Sequence, residues 1–176
     1  MYYFSHPSHT MPSIPNHPDD YTFLNTSTLP SVAVQRLRLV PDLISGRGAL
    51  GGLYTALFSA THPVVAVVAC DMPFASASLI EAAHRLLVEE EADVVIPKTD
   101  EGYEPIHAIY RRATCVPAIE SALDANQWKV IAWFPQVKVR VLMPDEIRLY
   151  DPSGLAFWNL NTPEEFAEAE RRASGQ

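Results

Sequence analysis

The sequence predicts an α/β sandwich built on a mainly parallel sheet. Three observations carry that expectation. Val64 to Ala69 is an unbroken apolar run rich in β-branched residues, as in a strand buried on both faces. Ser76 to Glu90 sets Leu79, Ala83, Leu86 and Leu87 along one side of a helix. Strand-like and helical stretches alternate along most of the chain.

The elements follow in order. Residues 1–20 hold Pro7, Pro12, Pro15 and Pro18 among histidines and serines, without periodicity, and read as a loose N-terminal tail. The three histidines there, His6, His9 and His17, match no standard metal spacing. A single domain is expected over residues 21–176. Tyr21 to Asn25 and Leu37 to Val40 read as short strands. A loop with Gly46 and Gly48 then leads into a helix over Leu50 to Ala60. After the Val64 strand and the Ser76 helix, Ala92 to Ile96 is strand-like, and Glu104 to Tyr110 alternates like another strand. Residues 111–124 read as a helix and Val137 to Leu142 as a strand. Pro163 opens a last helix to about Arg172, with Thr162 as N-cap and Glu164 and Glu165 in the first turn.

Composition narrows the function classes. The 176 residues are 48% hydrophobic and 19% charged, enough apolar material for a core and too much for global disorder. With 13 basic against 21 acidic residues and a net charge of −8, the chain lacks the positive surface that nucleic acid requires. An acidic protein still binds a polyphosphate when a divalent cation and backbone amides supply the positive charge. No apolar run reaches the length of a membrane span, and no secretory signal is read at the N-terminus. Cys70 and Cys115 make no disulfide framework, which suits a reducing cytoplasm.

In α/β sheets ligands sit beyond the carboxyl ends of the strands, so chemistry is sought there. Asp71 ends the Val64 run and precedes Met72-Pro73-Phe74. A carboxylate in that place can hold a hard cation such as Mg²⁺ together with water and a substrate phosphate, or it can simply shape a turn. Asp42 precedes the loop Ser45-Gly46-Arg47-Gly48-Ala49-Leu50-Gly51-Gly52-Leu53, where glycine permits close backbone approach and the following helix offers free N–H groups. Asp42 could read base N–H groups or cap a turn. Asn159-Leu160-Asn161-Thr162-Pro163-Glu164-Glu165 sets two asparagines at a helix start, suited to phosphates or a metal-bound water, or to capping. His107, in Glu104-Pro105-Ile106-His107-Ala108-Ile109-Tyr110, is a lone histidine in a strand, and such residues are more often structural than catalytic. Cys70 is expected to be a small buried residue, and no Ser-His-Asp or Cys-His pairing is readable.

In this order the segments resemble the molybdenum cofactor guanylyltransferase family, over roughly residues 21 to 172. The matching pieces are Asp42, Gly48-Ala49-Leu50-Gly51-Gly52-Leu53, Cys70-Asp71-Met72-Pro73-Phe74, Glu104 through Arg112, and Asn159 through Glu165. The resemblance implies a three-layer α/β/α sandwich of the Rossmann-like nucleotide-diphospho-sugar transferase type. It also implies transfer of GMP from GTP to molybdopterin with release of pyrophosphate. By resemblance Asp71 is the Mg²⁺ ligand and catalytic residue, and Asp42 and Asn25 contact the nucleotide. Asn159 and Asn161 lie near metal and phosphates, and Pro105 and His107 lie on the second-substrate side. GTP and molybdopterin are the implied small-molecule partners, and molybdoenzymes or their chaperones the implied protein partners.

The sequence departs from the family at one point. The family opens with a strand and a glycine-rich loop of the form L-A-G-G-x-S-x-R-M-G-x-x-K, whose amides and Lys hold the triphosphate. Residues 1–20 contain no Gly, Lys or Arg, so the expectation is an N-terminally truncated form of the fold. Ala49 also stands where the family commonly has Pro. Two alternatives to an active guanylyltransferase follow. One is an inactive homologue that binds nucleotide, pterin or a protein. The other is a transferase of the same superfamily that uses CTP or a sugar phosphate.

Overall fold

The structure, a computed structural model, describes residues 40–175 together with the backbone of residues 2–6. Among the described residues five strands form one sheet: β1 (Tyr2–His6), β2 (Val64–Val68), β3 (Val94–Pro97), β4 (His107–Arg111) and β5 (Val139–Leu142), in the order β1-β2-β4-β3-β5. β2 lies between β1 and β4 and is antiparallel to both, with Val68 opposite Tyr2 on one side and His107 on the other. β3 is antiparallel to β4 and parallel to β5.

The sheet is therefore mixed, which corrects the expectation of a mainly parallel one. β2, β3 and β5 run one way and β1 and β4 the other. The cause is the connection between β3 and β4, which holds no helix. The chain turns back within residues 98–106, where Lys98 bridges Tyr103 and the Thr99 N–H donates to the Gly102 carbonyl at 2.8 Å. A direct return of this kind must pair antiparallel, whereas parallel pairing needs a crossover.

Helices cover both faces. α1 (Gly48–Ser59) and α3 (Arg112–Asp124) pack with Trp133 on Val65, Val67, Val94, Ile96, Ala108 and Tyr110. α2 (Ala77–Glu89) and α4 (Pro144–Tyr150) pack on Val64, Ala66, Val95, Ile109 and Leu142. Successive residues of β2, β3 and β4 thus serve opposite cores, giving three layers. α5 (Pro163–Ala173) closes the chain. Expected and observed helices agree to within two residues at each end for α2, α3 and α5.

α4 and the 3₁₀ turn Phe134–Gln136 have no counterpart in the sequence reading, and β1 extends the very short stub that Tyr2-Tyr3-Phe4 offers as a substitute first strand. α4 is seven residues long with only Ile147 buried, too short to show a 3.6-residue period; Pro144 at its start and the Glu146 carboxylate on the Met143 N–H (3.0 Å) define it instead. β1 lies in the stretch whose prolines suggest a loose tail. Those prolines all follow residue 6, and Tyr2-Tyr3-Phe4 are aromatic residues that favour strands. The strands expected over Tyr21 to Asn25 and Leu37 to Val40 fall outside the described residues, apart from Val40, which belongs to no element. No helix among the described residues is long and apolar enough to cross a membrane.

Trp133 is the largest fully buried side chain, with its indole N–H donating to the Val130 carbonyl at 2.8 Å and its ring edge-on to Phe134 at 5.0 Å. Trp133→Ala is expected to lower unfolding stability by about 3–5 kcal/mol, the cost of removing a large aromatic side chain from a closed core. Urea denaturation followed by far-UV circular dichroism checks this. A loss under about 1 kcal/mol would show that the Trp133 side of the core tolerates collapse.

Candidate functional site

The candidate site lies where β2 and β3 end and β4 begins. Beyond Val68 the Ala69 N–H donates to the Ile106 carbonyl at 2.8 Å, which ties the end of β2 to the approach to β4. The chain then turns, with the Met72 N–H on the Ala69 carbonyl at 3.3 Å and Met72 buried. Asp71 sits in this turn, half-buried. Cys70, expected to be buried, is exposed, because it lies past the last paired residue of the ladder.

The asparagine segment is brought directly to this turn. The Leu160 N–H donates to the Asp71 carbonyl at 2.9 Å. Beside that bond Phe74 and Trp158 stack with ring centroids 5.7 Å apart and planes 6° from parallel. Asn159 and Asn161 are both exposed. Capping does not occupy their side chains. Thr162 Oγ1 accepts from the Glu165 N–H at 3.2 Å, and Glu165 Oε2 accepts from the Asn161 and Thr162 N–H groups at 2.7 and 2.9 Å. Those two N–H bonds hold the Glu165 carboxyl below the usual carboxylate range.

Pro105 and His107 flank the same end but differ in character. Pro105 is half-buried, and its carbonyl accepts from the buried Tyr110 hydroxyl. His107 is 1% exposed, edge-on to Phe157 at 5.1 Å, and its Nε2 has no hydrogen-bond partner among the described residues. Burial pushes the imidazole down to about 4, with the Asp151 carboxylate pulling weakly the other way. His107 is therefore neutral near pH 7 and built into the core, which agrees with the structural reading of a lone strand histidine. Nearby Glu104 is half-buried, donated to by Thr99 Oγ1 at 3.1 Å, and desolvation raises its pKa.

Asp42 approaches from the α1 side. α1 returns through residues 60–63 straight into β2, so its N-terminus lies about 18 Å away, near the end where β2 finishes. The loop before it is fixed by the Leu43 N–H on Thr55 Oγ1 at 3.0 Å, and by Arg47, which donates to Asn126 Oδ1 at 2.6 Å and lies 4.7 Å over the Trp128 ring. Gly51 is required here, because a Cβ would fall 2.9 Å from Arg47 Cβ and 3.0 Å from the Ile44 carbonyl oxygen. Asp42 itself is exposed, and among the described residues no hydrogen bond joins it to Asp71, Asn159 or Asn161. Asn25 lies outside the described residues.

The donor set was tested against a hard divalent cation. Among the described residues no three His, Cys, Asp or Glu side chains gather as a metal cluster. Mg²⁺ does not need one, since it usually keeps several waters and takes one or two carboxylates plus substrate phosphates. A single half-buried carboxylate, in a turn tied by backbone to a segment with two exposed asparagines, fits that requirement.

Comparison with known proteins decides the family. Residues 16–139 match the MobA-like NTP transferase domain. The chain belongs to that family. It is 38% identical over 133 residues to a protein of Pelotomaculum thermopropionicum named "Probable molybdenum cofactor guanylyltransferase", covering 76% of this chain and 63% of the relative. It is 36% identical over 132 residues to the molybdenum cofactor guanylyltransferase of Desulfosudis oleivorans, covering 75% of this chain and 64% of the relative. The chain thus spans less than two thirds of either relative. The crystal structure of molybdopterin-guanine dinucleotide biosynthesis protein A from Archaeoglobus fulgidus superposes with a TM-score of 0.65 at 27% identity, covering 77% of this chain and 67% of that one. The mixed sheet with helices on both faces is thus the MobA-like fold.

In this MobA-like domain the sequence reading did not single out Phe74 and Trp158. Both stand inside the motif segments, but their contact joins distant parts of the chain and leaves no local signal.

Burial of His107 sets a pH dependence of stability. Above its ordinary value of 6.5 the imidazole is neutral whether the chain is folded or not, and nothing is lost. Below 6.5 the unfolded chain takes up a proton that folded His107 refuses until about 4, so stability falls across that window. The loss totals roughly 3 kcal/mol. His107→Phe is expected to be less sensitive than the parent by that amount, in urea denaturation at pH 7 and pH 4. Equal acid sensitivity in the two proteins would refute the assignment.

Proposed function

We propose that this chain carries the nucleotide- and metal-side machinery of a molybdenum cofactor guanylyltransferase, which links GMP from GTP to the terminal phosphate of molybdopterin and releases pyrophosphate. The observation that carries the proposal is the bond from the Leu160 N–H to the Asp71 carbonyl. It ties the backbone of the Asn159–Asn161 segment to the Asp71 turn at the carboxyl end of β2, in a chain of the MobA-like family. The names of the relatives from Pelotomaculum and Desulfosudis supply the substrate class.

Asp71 would hold Mg²⁺ with its carboxylate, and the Asn159 and Asn161 amides would bind water or phosphate oxygens. The cation supplies charge neutralisation for in-line displacement at the α-phosphate. The chain's own task is positioning, since phosphoryl transfer of this kind needs no covalent intermediate on the protein. Asp42 would meet the guanine from the α1 side, with Asn25 as a second nucleotide contact. Pro105 would line the pterin side, where buried His107 shapes the wall. The proposed setting is the cytoplasm.

A second reading is favoured by one observation. Nowhere do the 176 residues hold the glycine-rich loop with its Lys. On that ground the chain alone is expected to bind guanine nucleotide while transferring little GMP.

Equilibrium dialysis with labelled GTP separates these readings from their rivals. GTP is expected to bind in a Mg²⁺-dependent manner, and Asp71→Asn to weaken binding about tenfold or more, the size of a lost charge contact. CTP is expected to compete poorly. Binding that ignores Mg²⁺ or survives Asp71→Asn would refute the role of Asp71, and preference for CTP would move the chain to another transferase class. Appearance of the pterin dinucleotide on addition of molybdopterin distinguishes the enzyme from a binding protein.

A further inference from the structure

The segment from Phe157 to Thr162 is pinned more heavily than helix capping requires. Phe157 packs edge-on against buried His107 at 5.1 Å. Its neighbour Trp158 faces elsewhere, stacked on Phe74, with the Arg172 guanidinium of α5 5.2 Å from the indole centroid. Leu160 is held by its N–H on the Asp71 carbonyl at 2.9 Å. Thr162 and the Asn161 N–H are held by the Glu165 carboxylate. Upstream, buried Asp151 accepts from the Ala156 N–H at 2.9 Å and anchors the start of the segment.

The anchors leave a pattern. Asn159 lies between stacked Trp158 and hydrogen-bonded Leu160. Asn161 lies between Leu160 and the capping box. Each exposed asparagine is therefore held by its neighbours on both sides, while no described residue hydrogen-bonds its side chain. A capping box alone would hold Thr162 and Asn161 but would need no aromatic stack on Phe74.

We infer that Phe74 and Trp158 are positioning residues: their stack clasps the asparagine segment to the Asp71 turn and sets the distance between the Asp71 carboxylate and the Asn159 and Asn161 amides. The inference deepens the function proposed above and rests on it. Sites that gather charge at a reacting phosphate depend on supporting contacts that hold their groups to within fractions of an ångström. The stack is the tertiary contact placed to do this, because Phe74 belongs to the same turn as Asp71 and Trp158 adjoins Asn159.

The test compares Trp158→Leu, Phe74→Leu and Trp158→Phe with the parent chain. Two quantities are read: hydrogen exchange of the Leu160 amide, with the Ala156 amide as internal reference, and the Mg²⁺ concentration needed for half-maximal GTP binding. The two leucine variants are expected to exchange Leu160 about fivefold faster, the scale of a lost aromatic pair. Ala156 should stay protected, which shows that the domain is folded, and the Mg²⁺ requirement should rise by a similar factor. Trp158→Phe, which retains a ring, should restore both. Unchanged Leu160 exchange overturns the clasp, and so does faster exchange with an unchanged Mg²⁺ requirement. If the parent chain shows no Mg²⁺-dependent GTP binding, the function proposed above fails, and the clasp as a structural device is then judged on the Leu160 exchange alone.

Discussion

Everything in this domain is arranged around β2, whose five residues, Val64–Val68, are all buried. A strand that is apolar on both faces cannot lie at a surface, so both faces must be covered. Val65 and Val67 draw in α1 and α3, and Val64 and Ala66 draw in α2 and α4. The strand is also flanked on both edges, by β1 and β4, so its backbone groups are paired within the sheet. Asp71 stands just where this dry strand ends. A carboxylate could not be accommodated a few residues earlier without a partner, and a few residues later it would stand free of the sheet.

The two ends of the sheet are treated differently. At the end where β2 begins, arginines close the structure. Arg112 donates to the Leu57 and Phe58 carbonyls at 3.0 and 3.1 Å, and Arg111 to the Ala92 carbonyl at 3.1 Å. These guanidiniums satisfy carbonyls at and beyond the C-terminal ends of α1 and α2, as basic side chains commonly do. Asp93 adds to the seal by accepting from Thr114 Oγ1 and the Lys138 N–H, both at 2.8 Å. At the opposite end the ties are made by backbone and by rings: Ala69 to Ile106, Leu160 to Asp71, and Phe74 to Trp158. Among the described residues, that end is organised without hydrogen bonds to the side chains of Asp71, Asn159 and Asn161.

The β3–β4 return links the two themes. By running antiparallel it delivers His107 opposite Val68, beside the end of β2, and not at the far side of the molecule. His107 then serves as a wall for Phe157. A buried imidazole whose Nε2 meets no partner among the described residues is a costly core residue, and its neutrality at ordinary pH is what makes it tolerable. The Pro105 and His107 side of the candidate site is thus built on the hairpin, and the Asp71 side on the dry strand.

The sequence alone determined the elements with strong local periodicity and the identity of the family. β2 was legible because a continuous apolar run needs no partner to be recognised, and α2, α3 and α5 because their periods or caps are local. Asp71 was legible because a charge at the end of such a run stands out, and the ordered motifs pointed to the family before any contact was known. Tertiary structure decided the rest. It set the place of β4 between β2 and β3, since the short link over residues 98–106 permits a turn back but does not name the strands that β4 joins. It brought α4 into being on one buried isoleucine, and it exposed Cys70 beyond the ladder. Only the fold joined Leu160 to Asp71 and Phe74 to Trp158, because contacts between distant segments depend on where the sheet carries them and leave no pattern in the neighbouring residues.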